Sequence, residues 1–241
     1  MKLINTLGLS LALLSLARAA GKPDRPPLAH ELMGVANGCF VESVAFLDHW
    51  QEAFGAEPWA RMLQWGAKAD EEIVAGHAVA VCEARGKLWC WDINFGWTPL
   101  AIDPAQRENT ELVAAPILAH YPKISARYPT FRYDFPQAPA ASPPVAQPGA
   151  ENASLRDASI VAERLARHRP VNLVRFKLPA EDGGEAREGA AVVFLFNGRY
   201  CIYIPEFGTT PFRARGGVEN LRLIHELLRR ELPGASELQK M

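Results

Sequence analysis

The stretch that decides the fold is residues 76–100, which read GHAVAVCEARGKLWCWDINFGWTPL. Small, β-branched and aromatic residues stand on both sides of a turn that contains Gly86, a pattern typical of a β-hairpin. His77 opens the first arm and Asp92 stands near the end of the second. We therefore predict a hairpin that carries a histidine and an aspartate on its two arms.

A helix is predicted upstream of the hairpin, beginning at Cys39. Its apolar residues recur every three or four positions, as on the buried face of an amphipathic helix. They are Phe40, Val44, Leu47, Trp50 and Phe54. Gly38, directly before the helix, would let a substrate carbonyl approach the backbone N–H of Cys39.

Cys39, His77 and Asp92 stand in the chain in the order nucleophile, base and orienting residue, as in a cysteine-dependent acyl-transfer enzyme. Thiolate forms readily at a helix N-terminus beside an imidazole, which makes Cys39 a candidate nucleophile. His77 would accept the thiol proton as general base, and Asp92 would hold the imidazole in the correct tautomer. Each residue type alone is more often structural, so the hypothesis depends on the three together.

The register of the hairpin decides whether His77 and Asp92 meet. A two-residue loop at residues 85–86 puts both side chains on one face, whereas a three-residue loop sends Asp92 to the other face. The sequence leaves both loops open. The two-residue loop also points Cys82 and Cys90 to opposite faces, where no disulfide can join them. Because the hypothesis needs the His77–Asp92 pair, we predict that Cys82 and Cys90 are not bonded to each other.

Composition indicates an ordinary globular protein. The chain has 241 residues, a formal net charge of -1 and 49% hydrophobic residues, enough for one large or two small domains. This charge balance gives no reason to expect nucleic acid or an anionic membrane surface as a partner. No cluster of Cys and His has metal-ligand spacing, so we expect neither a metal site nor a cofactor. The sequence leaves the oligomeric state open.

The first 19 residues predict a secretory signal peptide. Lys2 supplies the positive start, residues 7–16 supply a short apolar core, and Ala17-Arg18-Ala19 fits a small-x-small cleavage site. No later apolar run reaches the ~20 residues needed to span a bilayer. We therefore expect an exported protein, periplasmic or extracellular, whose four cysteines meet a compartment that favours disulfides.

Residues 135–150, FPQAPAASPPVAQPGA, predict a proline- and alanine-rich linker between two lobes. The first lobe is residues 20–134 and the second is residues 151–241. The order helix, strand, hairpin, helix recurs after the linker, which indicates an internal duplication. The second copy lacks the polar residues, because we expect Ala190 at the position of His77 and Ile204 at that of Asp92. It would be a degenerate copy that serves as support or as a substrate-binding surface.

Residues 37–97 resemble the papain-like and transglutaminase-like cysteine peptidase superfamily. Gly38-Cys39-Phe40 is similar to the glycine, cysteine and aromatic residue at the family's helix start. The strand HAVAV from His77, followed by Asp92 and then FGW, looks like the family's His-strand and Asn/Asp-strand. The short interval between Cys39 and His77 is similar to that of the compact bacterial branch.

The resemblance implies a Cys39-His77-Asp92 triad and a helix packed on a small antiparallel sheet. Papain-like enzymes place an oxyanion-donating Gln six residues before the cysteine, where this chain has Met33. Asn37 is then the candidate substitute for that donor.

From the residues and the resemblance we expect an α+β protein of two related lobes. The first lobe would be a cysteine peptidase-like hydrolase, a thiol protease that cleaves peptide or isopeptide bonds in a peptide or protein substrate. Two alternatives stay open. One is a non-catalytic exported binding module of the same fold, with Cys39 buried and inert. The other is a transglutaminase-type cross-linking enzyme, in which an amine replaces water as acceptor.

Overall fold

The computed structural model describes residues 28–55, 59–69, 72–121, 131–132, 153–180, 184–212 and 221–241. These residues form an α+β structure with two antiparallel sheets, which confirms the predicted class. The predicted signal peptide and the predicted linker lie outside the described residues. In the described part of the chain, no helix is both long and apolar enough to cross a bilayer.

The first half runs helix, four strands, helix, strand. Its helices are α1 (Cys39–Phe54) and α2 (Thr110–Leu118), with a short 3-10 helix at Pro104–Gln106 before α2. Its strands are β1 (Ala60–Ala69), β2 (Glu72–Ala84), β3 (Lys87–Asp92), β4 (Gly96–Leu100) and β5 (Phe131–Arg132). They form one sheet in the order β4-β3-β2-β1-β5.

The second half follows the same order of elements. Its helices are α3 (Ala153–Ala166) and α4 (Leu221–Glu231). Its strands are β6 (Val171–Leu178), β7 (Arg187–Phe196), β8 (Arg199–Ile204), β9 (Gly208–Phe212) and β10 (Ser236–Lys240). They form a second sheet in the order β10-β6-β7-β8-β9, so each strand occupies the place of its counterpart in the first sheet.

Both central hairpins turn in two residues. Ala84 pairs with Lys87 across the loop formed by residues 85–86, and Phe196 pairs with Arg199 across the loop formed by residues 197–198. All four loop residues have positive φ, from 49° to 71°, as in the hairpin turn whose twist matches that of the strands. The loop that the sequence left open is therefore the two-residue one.

This register separates the two cysteines of the first hairpin. Cys82 packs with Phe46 and Trp50 of α1 on one face of the sheet. Cys90 packs on the other face with the core that includes Val113 of α2. Cys39, Cys82, Cys90 and Cys201 are all free thiols.

The register also corrects one correspondence between the halves. His77 and Gly189 stand at the same distance from their turns, and each lies opposite an aromatic residue of the neighbouring strand, Trp65 and Phe176 respectively. The residue at the position of His77 is therefore Gly189, and the expectation of Ala190 was wrong by one residue.

The two halves share one core. Residues of α1, of α3 and of one face of each sheet form a continuous apolar cluster that includes Phe40, Val44, Val161 and Phe194. The opposite face of the first sheet packs against α2, and the opposite face of the second sheet packs against α4. α1 and α3 are thus inner helices, and the start of α1 lies beside the second half of the chain.

Candidate active site

Gly38, directly before α1, allows the chain to approach Val35 more closely than a residue with a side chain would. A Cβ on Gly38 would lie 2.7 Å from Cγ2 of Val35 and 3.0 Å from its carbonyl oxygen. No side chain caps this end of the helix, although the Gly38 carbonyl accepts the N–H of Glu42 at 2.8 Å. The glycine is thus needed for packing on Val35, and it leaves the half-buried Cys39 at an uncapped helix N-terminus.

His77 lies on β2, enclosed by two aromatic rings. The ring of Trp65, its partner on β1, lies 4.9 Å from the imidazole, and the ring of Tyr121 lies 5.1 Å away, centroid to centroid. The side chain of His77 is 9% exposed. These contacts hold the imidazole in one orientation and shield it from most solvent.

Asp92 ends β3 on the same face as His77, as the two-residue loop requires. Both carboxylate oxygens lie 3.2 Å from Nε2 of His77. The backbone N–H of Asn94 donates to Oδ1 at 2.8 Å, which fixes the carboxylate at the start of the β3–β4 turn. The structure therefore brings two of the three predicted residues into direct contact.

Tyr121 is a fourth member of the site that the sequence analysis missed. Its hydroxyl donates to Oδ2 of Asp92 at 2.6 Å and lies 2.9 Å from Nε2 of His77. The side-chain amide of Asn94 donates to the same hydroxyl at 3.0 Å. Tyr121 follows α2 and stands 29 residues after Asp92. No local pattern marks it, because only the packing of α2 on the sheet brings it to Asp92.

Cys39 lies beside the imidazole and completes the cluster. Burial lowers the pKa of His77, but hydrogen bonds to Asp92 and Cys39 and the charges of these two groups outweigh burial and raise it to about 9. Nε2 faces Asp92 and Tyr121, so Nδ1 is the ring nitrogen left for the thiol. The imidazole thus stands between a thiol and a carboxylate.

The carboxylate and the phenol of this cluster hold opposite protonation states. Burial raises the pKa of Asp92, but the hydrogen bond and charge of His77, with help from Tyr121 and Asn94, bring it below the ordinary value. Burial and the hydrogen bond to Asp92 raise the pKa of Tyr121. Asp92 therefore stays ionised as an acceptor while Tyr121 stays protonated as a donor.

Asn37 is directed away from the thiol. Its side-chain amide donates to the carbonyl of Pro205 at 2.7 Å and to that of Glu206 at 3.2 Å. These bonds use the amide N–H groups, which disfavours the predicted role of Asn37 as an oxyanion donor. Met33, the other position considered, is buried, and its backbone N–H donates to the carboxylate of Glu42.

The other three cysteines lie in the core. Cys82, Cys90 and Cys201 are each at most 1% exposed. Burial raises the pKa of all three thiols, and in Cys90 the charges of Asp92 and Cys82 add to the effect. Cys39 is therefore the cysteine of this chain that combines solvent access with an ionisable partner.

No protein-family model matches the chain, and no curated protein or solved structure matches it. The geometry of Cys39, His77, Asp92 and Tyr121 is therefore what indicates the function.

Proposed function

We propose that the protein is an exported cysteine-dependent acyl-transfer enzyme that hydrolyses peptide or isopeptide bonds. The observation that carries the proposal is the convergence of Cys39, His77 and Asp92, which come from a helix and two strands. Tyr121 and Asn94 support Asp92 from outside this triad. A structural thiol or a surface histidine would need none of this arrangement.

In the first half-reaction, the proton shared by Cys39 and His77 lies on Nδ1, because the pKa of His77 is about 9, and the sulfur attacks the carbonyl carbon of the substrate. The carbonyl oxygen becomes an oxyanion. When the oxyanion re-forms the carbonyl, the bond to the leaving nitrogen breaks, and the proton on Nδ1 passes to that nitrogen. The products are an amine and a thioester on Cys39.

In the second half-reaction, a water molecule gives its proton to Nδ1 of His77 and attacks the thioester carbonyl. The bond between carbon and sulfur breaks, the acid leaves, and the proton taken from water stays on Nδ1, shared with the sulfur as before the reaction. Asp92 and Tyr121 contact Nε2 throughout, so the imidazolium is stabilised whenever it forms. A primary amine in place of water would give acyl transfer instead of hydrolysis.

The N-terminus of α1 is suited to stabilise the oxyanion. The first N–H groups of a helix have no acceptor within the helix, and the helix dipole favours negative charge there. Gly38 brings no side chain that would cap them. The backbone N–H of Cys39 would thus be a donor to the oxyanion, in place of Asn37.

We further infer that the fold is a duplicated papain- or transglutaminase-like lobe with a degenerate second copy. The same order of elements, the same strand order and the same two-residue turn in both halves support this inference. The first copy would hold the catalytic residues, while the second copy has Gly189 and Ile204 at the positions of His77 and Asp92.

Alkylation of Cys39 tests the proposed function directly. We expect iodoacetamide at pH 6 to label Cys39 in the folded protein about tenfold or more faster than an ordinary thiol, because His77 assists thiolate formation. His77→Ala should remove that excess. Cys82, Cys90 and Cys201 serve as internal references that react only after unfolding.

Mass spectrometry of the labelled peptides gives the rate at each cysteine. A Cys39 that stays unlabelled at pH 6 in the folded wild type would refute the enzyme and favour the non-catalytic binding module. If Cys39 is reactive, incorporation of an added primary amine into a peptide substrate distinguishes transfer from hydrolysis.

A further inference from the structure

We propose that Asp157 and Tyr203 of the second half are positioning residues that hold the backbone leading into the nucleophile. The inference rests on the proposed function and extends it. It gives the second half a defined part in the site, although that half contributes none of the proposed catalytic residues.

Asp157 and Tyr203, which together we call the clamp, bind both backbone polar groups of Ala36, three residues before Cys39. The backbone N–H of Ala36 donates to Oδ2 of Asp157 on α3 at 2.9 Å. Its carbonyl accepts the hydroxyl of Tyr203 on β8 at 2.6 Å. The peptide groups on both sides of Ala36 are thus fixed by side chains that lie more than 120 residues away in sequence.

The next residue is held by the same half of the protein. Asn37 has a φ of +49°, a left-handed conformation that Asn tolerates better than most residues. Its amide donates to the carbonyls of Pro205 and Glu206 in the turn between β8 and β9. Ala36 and Asn37, which precede Gly38 and the nucleophile, are therefore fixed by four hydrogen bonds to α3, β8 and the β8–β9 turn.

Tyr203 and Asp157 are built as rigid partners. Tyr203 is fully buried and Asp157 is 7% exposed. Burial raises the pKa of Tyr203, and the charges of Asp157, Glu206 and Glu42 raise it further, so the phenol keeps its proton. It therefore remains a donor to the Ala36 carbonyl at pH 6, where the experiment is made.

The position of the clamp makes its effect on Cys39 direct. Only Asn37 and Gly38 separate Ala36 from the start of α1, and Gly38 lies close to Val35, so we expect a shift of Ala36 to reach Cys39. Such a shift would move both the sulfur and the first N–H groups of α1 relative to the imidazole of His77. Displacements of about 1 Å in a catalytic group change rates by up to ~10²-fold.

The decisive experiment measures Cys39 alkylation against pH in the full chain. Tyr203→Phe removes the hydroxyl that holds the Ala36 carbonyl. Tyr200→Phe is the matched control, because it removes a buried hydroxyl from the same strand on the face that packs with α4. Asp157→Ala removes the acceptor for the Ala36 N–H, whereas Asp157→Asn keeps an acceptor oxygen in the same place.

We expect Tyr203→Phe and Asp157→Ala to slow Cys39 labelling at pH 6 by about tenfold and to shift its pH profile towards that of an ordinary thiol, near ~8.5. Tyr200→Phe and Asp157→Asn should keep the wild-type profile of labelling against pH, even if their melting temperatures fall as far as those of Tyr203→Phe and Asp157→Ala. If Tyr203→Phe does not fold, the two Asp157 variants decide. Wild-type profiles in Tyr203→Phe and Asp157→Ala, beside a reactive wild-type Cys39, would overturn the clamp and leave the proposed function intact. An inert wild-type Cys39 would instead refute the proposed function.

Discussion

The two sheets have the same strand order but opposite chemistry at one hairpin position. In the first sheet, His77 stands opposite Trp65 and reaches Asp92. In the second, Gly189 stands opposite Phe176, and a Cβ on Gly189 would lie 2.2 Å from that ring. The phenyl ring thus covers the glycine, so the position that carries a polar side chain in one half is closed by packing in the other.

The surroundings of these positions differ in the same sense. Asp92 is buried in the first sheet with three hydrogen-bonding neighbours, His77, Tyr121 and Asn94. Ile204, at the corresponding end of β8, belongs to the apolar core that packs with α4. A buried polar network is tolerated only when its members are satisfied, so the first half needs all its partners at once. The second half needs only apolar side chains that fill the space at these positions.

The largest expected effect is the pH dependence of stability that comes from His77 of the first half. The pKa of His77 is about 9 in the folded protein, against an ordinary value of 6.5. Below pH 6.5 the ring is charged in both states and its contribution is complete; it is lost as pH rises through 9. The contribution is about 3 kcal/mol.

Urea unfolding at pH 6 and pH 9.5 measures this loss as a change in the free energy of unfolding. His77→Gln should be less stable than wild type at pH 6 and should show a flatter dependence over this range. An equal slope in wild type and His77→Gln would show that the polar cluster does not distinguish the two halves energetically.

The second prediction concerns Gly189, which the ring of Phe176 covers. Gly189→Ala should lower the free energy of unfolding by about 2 kcal/mol, because the new methyl group forces the buried Phe176 ring to move. Gly184→Ala is the control, since its Cβ would meet Ala180 at an ordinary 3.7 Å. Thermal denaturation of both variants is the measurement. Equal stability of the two variants would mean that Phe176 does not close this position.

A smaller effect is expected at Tyr121. Tyr121→Phe should cost about 1.5 kcal/mol of folding stability, because Asp92 loses a charge-assisted hydrogen bond from the phenol. It should also slow Cys39 labelling several-fold, since Asp92 and the imidazole are held less firmly. Chemical denaturation and labelling at pH 6 give the two values. Wild-type labelling in this variant would show that the Tyr121 hydroxyl does not support the reactivity of Cys39.

The smallest effect is at the turns, where the halves differ in one residue type. Arg85 and Asn197 both have left-handed φ values, 54° and 49°. Asn adopts this conformation more readily than Arg, so Arg85→Asn should stabilise the protein by about 0.5 kcal/mol, and Asn197→Arg should destabilise it by a similar amount. Chemical denaturation of the two variants measures both changes in the free energy of unfolding. Changes of the same sign would show that the two turns do not respond alike to Asn and Arg.

The central hairpins and the helix that begins at Cys39 were predictable from the sequence, because their patterns are local. The apolar spacing from Phe40 to Phe54 and the β-branched arms around Gly86 and Gly198 specify their elements without help from the rest of the chain. The sequence left the length of the first hairpin loop open, since Arg85 is an uncommon residue type at a left-handed position. The pairing of Ala84 with Lys87 and the positive φ of Arg85 and Gly86 establish the two-residue turn.

The site was predictable only where its residues lie near each other in sequence or carry a known chemistry. His77 and Asp92 share a hairpin, and Cys39 opens a recognisable helix. Tyr121 could not be found, because α2 must first pack on the sheet. The hydrogen bonds of Asn37 could not be predicted either, because its partners, at residues 205–206, belong to the other half of the chain.

Because α1 and α3 belong to one core, neither half can bury its inner helix by itself. Alone, each half would expose the apolar side chains that now meet across the middle of the molecule, such as Phe40 on one side and Phe194 on the other. The contact has the character of an obligate dimer interface whose two subunits happen to be joined by peptide bonds. A chain cut between residues 132 and 153 would then persist as a noncovalent pair, and its integrity would depend on protein concentration.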